Sequence, residues 1–102
     1  MPDRKSGPKP TAKATTRTGG AVELVLYKMD GCPYCARVVS FLREKRIPVT
    51  YRDIEGDPGA AADLVKLGGI DQVPCLSIDG KALYESLDII AYLERECVPA
   101  KG

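Results

Sequence analysis

The chain carries four cysteines, Cys32, Cys35, Cys75 and Cys97, and no histidine. Without histidine there is no Cys–His or Ser–His nucleophile pair and no imidazole metal ligand. Catalysis is left to thiols, carboxylates, lysine, tyrosine and helix dipoles. Two of the thiols fall within one helical turn, in Cys32-Pro33-Tyr34-Cys35. A pair so spaced supports thiol–disulfide exchange when the first sulfur is an exposed thiolate and the second lies close enough to resolve it. The competing reading of such a pair is half a zinc site. Zinc sites usually add a second close pair, whereas Cys75 and Cys97 follow Cys35 by 40 and 62 residues. The redox reading is the better one, and no metal is expected. Cys75 and Cys97 are read as packed thiols.

The elements around this pair are legible from periodicity and punctuation. An apolar run at 22–27 reads as a buried strand. From Pro33 to about Lys45, Val38, Val39 and Leu42 are spaced for one helical face, with Pro33 at the first helical position. Ile47, Val49 and Tyr51 alternate as a strand does. Asp57 and Pro58 read as N-cap and first helical residue of a helix that stops at Gly68-Gly69. Residues 73–78 form a strand, Asp79-Gly80 a two-residue hairpin turn, and 82–84 its partner. Ser86 is placed to cap a last helix in which Leu87, Ile90 and Ala91, as well as Ile89 and Leu93, are available for packing. The order is β-α-β-α-β-β-α, an α/β fold with a four-stranded mixed sheet and helices on both faces. Its first βαβ unit requires a parallel strand pair. Cys32 then sits at a helix N-cap, where unpaired amides and the dipole favour a thiolate, and Cys35 is the more buried partner.

Length and charge narrow the classes further. The 102 residues suffice for one hydrophobic core. No apolar run approaches the roughly 18 residues a membrane crossing needs. Residues 1–20 hold five basic side chains against Asp3, and the remainder is mildly acidic, a poor match for nucleic acid. Rich in Pro, Gly, Thr and Lys, residues 1–20 read as a disordered basic tail, and 21–102 as the folded domain. This tail lacks the apolar stretch of a signal peptide, so the reading is a cytoplasmic protein in a reducing compartment.

The segment from Tyr27 to Cys35, ending in C-P-Y-C, resembles the active site of dithiol glutaredoxins. Val73-Pro74 resembles the cis-proline that thioredoxin-fold proteins place opposite their active-site cysteine. Val73-Pro74-Cys75-Leu76, Tyr84-Glu85-Ser86 and Ile90-Ala91-Tyr92-Leu93 are similar to the N-terminal domain of glutathione S-transferases. The resemblance spans residues 22–96. It implies a thioredoxin-like fold and a monomeric glutathione-dependent oxidoreductase acting on disulfide-containing or glutathionylated proteins. Cys32 would be the nucleophile and Cys35 the resolving thiol. Glutathione is the implied co-substrate. Lys28 would meet its glycyl carboxylate, the backbone of Val73 its cysteinyl unit, and Glu85 and Ser86 its γ-glutamyl end. Tyr34, Gln72 and Pro74 complete the implied contact set.

Departures from both families matter. Glutaredoxins usually carry Thr where Gln72 stands, and many carry a Gly-Gly-Asp-like run where Tyr84-Glu85-Ser86 stands. Nine residues follow Leu93, too few for the helical second domain with which transferases hold an electrophile, so conjugating activity is not expected. Two further readings stand beside the oxidoreductase: an iron–sulfur-cluster or glutathione-binding module, and a single-domain transferase-like protein. Pro33 argues against the cluster module, because cluster-binding relatives more often lack it.

Overall fold

A computed structural model describes residues 13–16 and 19–97. Five strands and three helices follow one another as β1 (Lys13–Thr15), β2 (Ala21–Lys28), α1 (Pro33–Glu44), β3 (Thr50–Asp53), α2 (Pro58–Gly68), β4 (Cys75–Ile78), β5 (Lys81–Tyr84) and α3 (Ser86–Glu96). β2 is the centre. It pairs parallel with β3, Val25 opposite Thr50 and Lys28 opposite Asp53. It pairs antiparallel with β4, which continues antiparallel into β5. From β2 onward this is the β-α-β-α-β-β-α thioredoxin-like fold.

The strand β1 corrects the reading of residues 1–20 as a disordered tail. Lys13–Thr15 pairs antiparallel with residues 21–23, and Ala14 is only 2% exposed against Val22 and Leu24. Pairing across so short a connection needs little apolar periodicity, which is why composition concealed it. Residues 1–12, 17 and 18 of that stretch lie outside the described residues.

Alternation along β2 divides the core. Leu24 and Leu26 face α1 and α3, packing with Val38, Leu42, Leu76, Ile89 and Leu93. Tyr27 faces the other way with Cys75, Ala60 and Leu64 of α2. α1 and α3 therefore cover one face of the sheet and α2 the other. Arg52 of β3 ties α2 down: its guanidinium bonds Asp63 at 2.5 Å and Asp57 at 3.0 Å, and lies 5.6 Å over the Tyr27 ring.

Local chemistry explains most ends. Asp57 caps α2 by accepting from the Gly59 amide, and Gly69 closes it in the left-handed conformation. Asp79 and Gly80 both have positive φ, as the two-residue hairpin turn requires. Three details differ from expectation. β3 begins at Thr50 rather than Ile47, because Arg46 turns the chain at φ 56° and Ile47 drops into the core instead. β4 begins at Cys75 rather than at residue 73, after a cis Val73–Pro74 bond. The N-cap of α3 is Glu85, with no side-chain cap bond, and Ser86 is the first helical residue.

Candidate active site

The site is built where β2 runs into α1. Cys32 Nα donates to the Met29 carbonyl at 3.3 Å across a turn in which Gly31 has φ 85°, a conformation glycine adopts without Cβ penalty. That turn delivers Cys32 to the N-cap of α1 in extended geometry, and Pro33 starts the helix. The Cys35 amide donates to the Cys32 sulfur at 3.3 Å. Cys32 is partly exposed, whereas Cys35 is 2% exposed.

The two thiols are driven apart electrostatically. Burial disfavours the Cys32 thiolate, but hydrogen bonds from the Cys35 thiol and from the amides of Cys35 and Tyr34 outweigh it, so its pKa falls below the ordinary thiol value. Burial, and then the bond and charge of Cys32, push Cys35 up to about 12. One sulfur is favoured as a thiolate and the other as a thiol. Burial raises Cys75 and Cys97 as well, and both are fully packed.

α1 separates two grooves. The larger, about 610 Å³, runs from Tyr34 past Val73 and Pro74 to Glu85 and Ser86 at the start of α3. It brings together six of the residues named from sequence, Gln72 included; Gln72 Nε2 donates to Glu85 Oε2 at 3.2 Å. Ser86 is 6% exposed, and its hydroxyl meets no hydrogen-bond partner among the described residues. The backbone N–H and C=O of Val73 are likewise unbonded among the described residues. Glu85 holds a positive φ of 75°, a strained backbone for a residue with a Cβ. Glu85 and Ser86, at the start of α3 where no side chain caps the helix, both line the groove.

Cys32, Cys35 and Lys28 line the second groove, of about 350 Å³. Lys28 is thus set apart from the Val73–Ser86 surface. Its ammonium bonds Asp30 at 2.8 Å and stands 3.7 Å from Asp53, and the bond to Asp30 chiefly raises its pKa. The basic group in the larger groove is Arg37 instead. Its i+3 spacing from Tyr34 was the available signal. Leu87 and Asp88 also line this groove; Leu87, expected to pack, is exposed there instead, and Asp88 was not singled out.

Comparison with known proteins places this geometry. The family profile "Glutathione S-transferase, N-terminal domain" matches residues 26–99. Glutathione transferase Omega 3C from Trametes versicolor is 35% identical over 70% of this chain, with a TM-score of 0.62. The chain spans only 32% of that transferase's length. A glutaredoxin from Brucella melitensis is 27% identical, with a TM-score of 0.53 over 70% of this chain and 76% of its own. A mutant of a thioredoxin-like protein, 22% identical, superposes with a TM-score of 0.63 over 71% of this chain and 99% of its own, a likeness of fold. No curated protein matches the sequence.

Proposed function

The chain belongs to the family of glutathione S-transferase N-terminal domains, and from that footing we propose that it catalyses glutathione-dependent thiol–disulfide exchange through Cys32. One observation carries the proposal: a partly exposed sulfur caps α1 and accepts the Cys35 amide, with a buried thiol directly behind it. A transferase needs no second thiol at that place; a disulfide reductase does.

The larger groove suits glutathione as co-substrate. Its volume falls within the range of small-molecule sites. An extended tripeptide finds an unbonded backbone edge at Val73. A carboxylate finds the Ser86 hydroxyl and the uncapped amides at the start of α3. An amino group finds Glu85. Arg37 takes the role of charge partner that sequence reasoning gave to Lys28.

For a glutathionylated protein, the Cys32 thiolate attacks the glutathionyl sulfur. A Cys32–glutathione disulfide forms, the bond to the protein breaks, and the departing protein thiolate takes a proton from solvent. A second glutathione thiolate then attacks the glutathionyl sulfur, giving glutathione disulfide and restoring Cys32. For a protein disulfide, Cys32 forms a mixed disulfide with one protein sulfur and releases the other. Cys35 passes its proton to the departing sulfur and attacks Cys32, leaving a Cys32–Cys35 disulfide that two glutathiones reduce.

The transferase reading has a specific observation in its favour, the 35% identity to an Omega transferase. The two are separated by assaying one preparation twice, with hydroxyethyl disulfide in a glutathione reductase-coupled assay and with a chromogenic electrophile. Disulfide reduction that disappears in Cys32→Ser, without conjugation, is the predicted result. Conjugation without disulfide reduction would overturn it.

A further inference from the structure

The proposed exchange leaves the second groove unused. It follows one stripe of α1: Cys32, Ala36, Val39 and Arg43 are spaced as neighbours along a helix and all line it, with Tyr51 of β3 forming the facing wall. Tyr34 and Arg37 lie on the other side of the same helix, in the larger groove. Cys32, at the N-cap of α1, opens into this second groove.

Charge in this groove is uneven. Lys28 is already engaged by Asp30 and Asp53. Arg43 makes no ion pair with any described residue. Ala36 and Val39 lie between Arg43 and the nucleophilic sulfur, and Tyr51 is an exposed ring beside them. Between Cys32 and Arg43 the groove is therefore walled by Ala36, Val39 and Tyr51, with the sulfur at one end and, at the other, a cation that no described residue pairs.

Resting on the proposed exchange, we propose that this groove holds the protein substrate: an extended segment carrying an acidic residue three to five positions from its reacting cysteine. The covalent intermediate supports the assignment. In the protein-disulfide route the substrate stays bonded to Cys32 until Cys35 displaces it and supplies the proton to the departing sulfur, and Cys32 opens into this groove. The spacing follows from helix geometry. Cys32 and Arg43 are eleven residues apart, about 16 Å along the axis. The arginine side chain leans back towards the helix start, and an extended peptide covers about 3.3 Å per residue.

The test uses two cysteine peptides, alike except for Glu or Lys at those positions, each blocked at sulfur with thionitrobenzoate. Release of thionitrobenzoate reports attack by Cys32 in the full chain. Cys32 is expected to react about fivefold faster with the Glu peptide, the upper reach of an exposed ion pair, and the preference should shrink with added salt. Arg43→Glu should invert the ratio and Arg43→Gln should bring it to one, while Arg37→Glu should leave it in place. A ratio of one in the parent chain, or a ratio that follows Arg37 rather than Arg43, overturns the assignment. Glutathione turnover of hydroxyethyl disulfide, measured alongside, reads the proposed function separately. Turnover with no peptide preference sinks the groove alone. A preference that follows Arg43 without glutathione turnover sinks the reductase reading and leaves the groove as the docking site of a thiol-reactive protein.

Discussion

The amide of Cys35 points at the sulfur of Cys32 across 3.3 Å, so the residue proposed to resolve the mixed disulfide also favours the thiolate of its partner. Its thiol contributes a further hydrogen bond in the same sense. Both follow from three residues of spacing in the first turn of α1, where amides lack helical partners.

Removing that thiol should weaken the thiolate without abolishing it. Cys35→Ala keeps the amide and loses the side-chain donor, so the midpoint of Cys32 alkylation should move to higher pH. Cys35→Ser, whose hydroxyl still donates, should move it less. Equal midpoints in all three proteins would remove the Cys35 thiol from the account.

Turnover should split by substrate. Cys35→Ser should keep most of its activity on a glutathionylated peptide, because that route returns through glutathione alone. Reduction of a protein disulfide should fall by tenfold or more, about 1.4 kcal/mol of barrier or greater, because the mixed disulfide persists. Mass spectrometry of the stalled chain should show the substrate attached at Cys32. Equal loss on both substrates would contradict separate roles.

The start of α3 should trade stability against binding. Ser86→Ala removes a buried hydroxyl without a described partner, so stability should barely change. The KM for glutathione should rise about tenfold, as for a lost bond to a charged group. Glu85→Gly relieves the positive φ, worth about 1 kcal/mol, so Tm should hold or rise while glutathione binding weakens. A fall in Tm with binding intact would mean that Glu85 serves the fold.

Gly68 carries a different kind of constraint. A Cβ there would overlap the Tyr84 ring, whose hydroxyl donates to the Ile70 carbonyl at 3.0 Å. Gly68→Ala should therefore cost about 1–2 kcal/mol by thermal unfolding, even though alanine is the better helix former. A higher Tm would show that Tyr84 swings aside freely.

What sequence made legible was local. C-P-Y-C, the Asp57 cap, the Gly69 stop and the Asp79-Gly80 turn each declare themselves within a few residues, because caps and tight turns rest on near-neighbour hydrogen bonds and φ limits. The parts that escaped depend on distant partners. Lys28 meets Asp53 only because β2 and β3 pair in parallel across 25 positions. That pairing draws Lys28 away from the groove the resemblance suggested. The strand at Lys13–Thr15 has no pattern of its own and exists only against β2. Glu85 replaces Ser86 as the cap of α3 by adopting a backbone that propensity disfavours, visible only once the groove is built.

The proposed chemistry requires a charged Cys32, and the pH dependence of its alkylation measures that charge directly. Cys32 has a lowered pKa in the fold, so its reaction with iodoacetamide, followed by mass spectrometry at that residue, should reach half its maximal rate below the roughly pH 8.5 of a free thiol. In denaturant the midpoint should return to that value. A midpoint in the folded protein equal to or above that of the denatured chain would contradict an activated nucleophile at the start of α1.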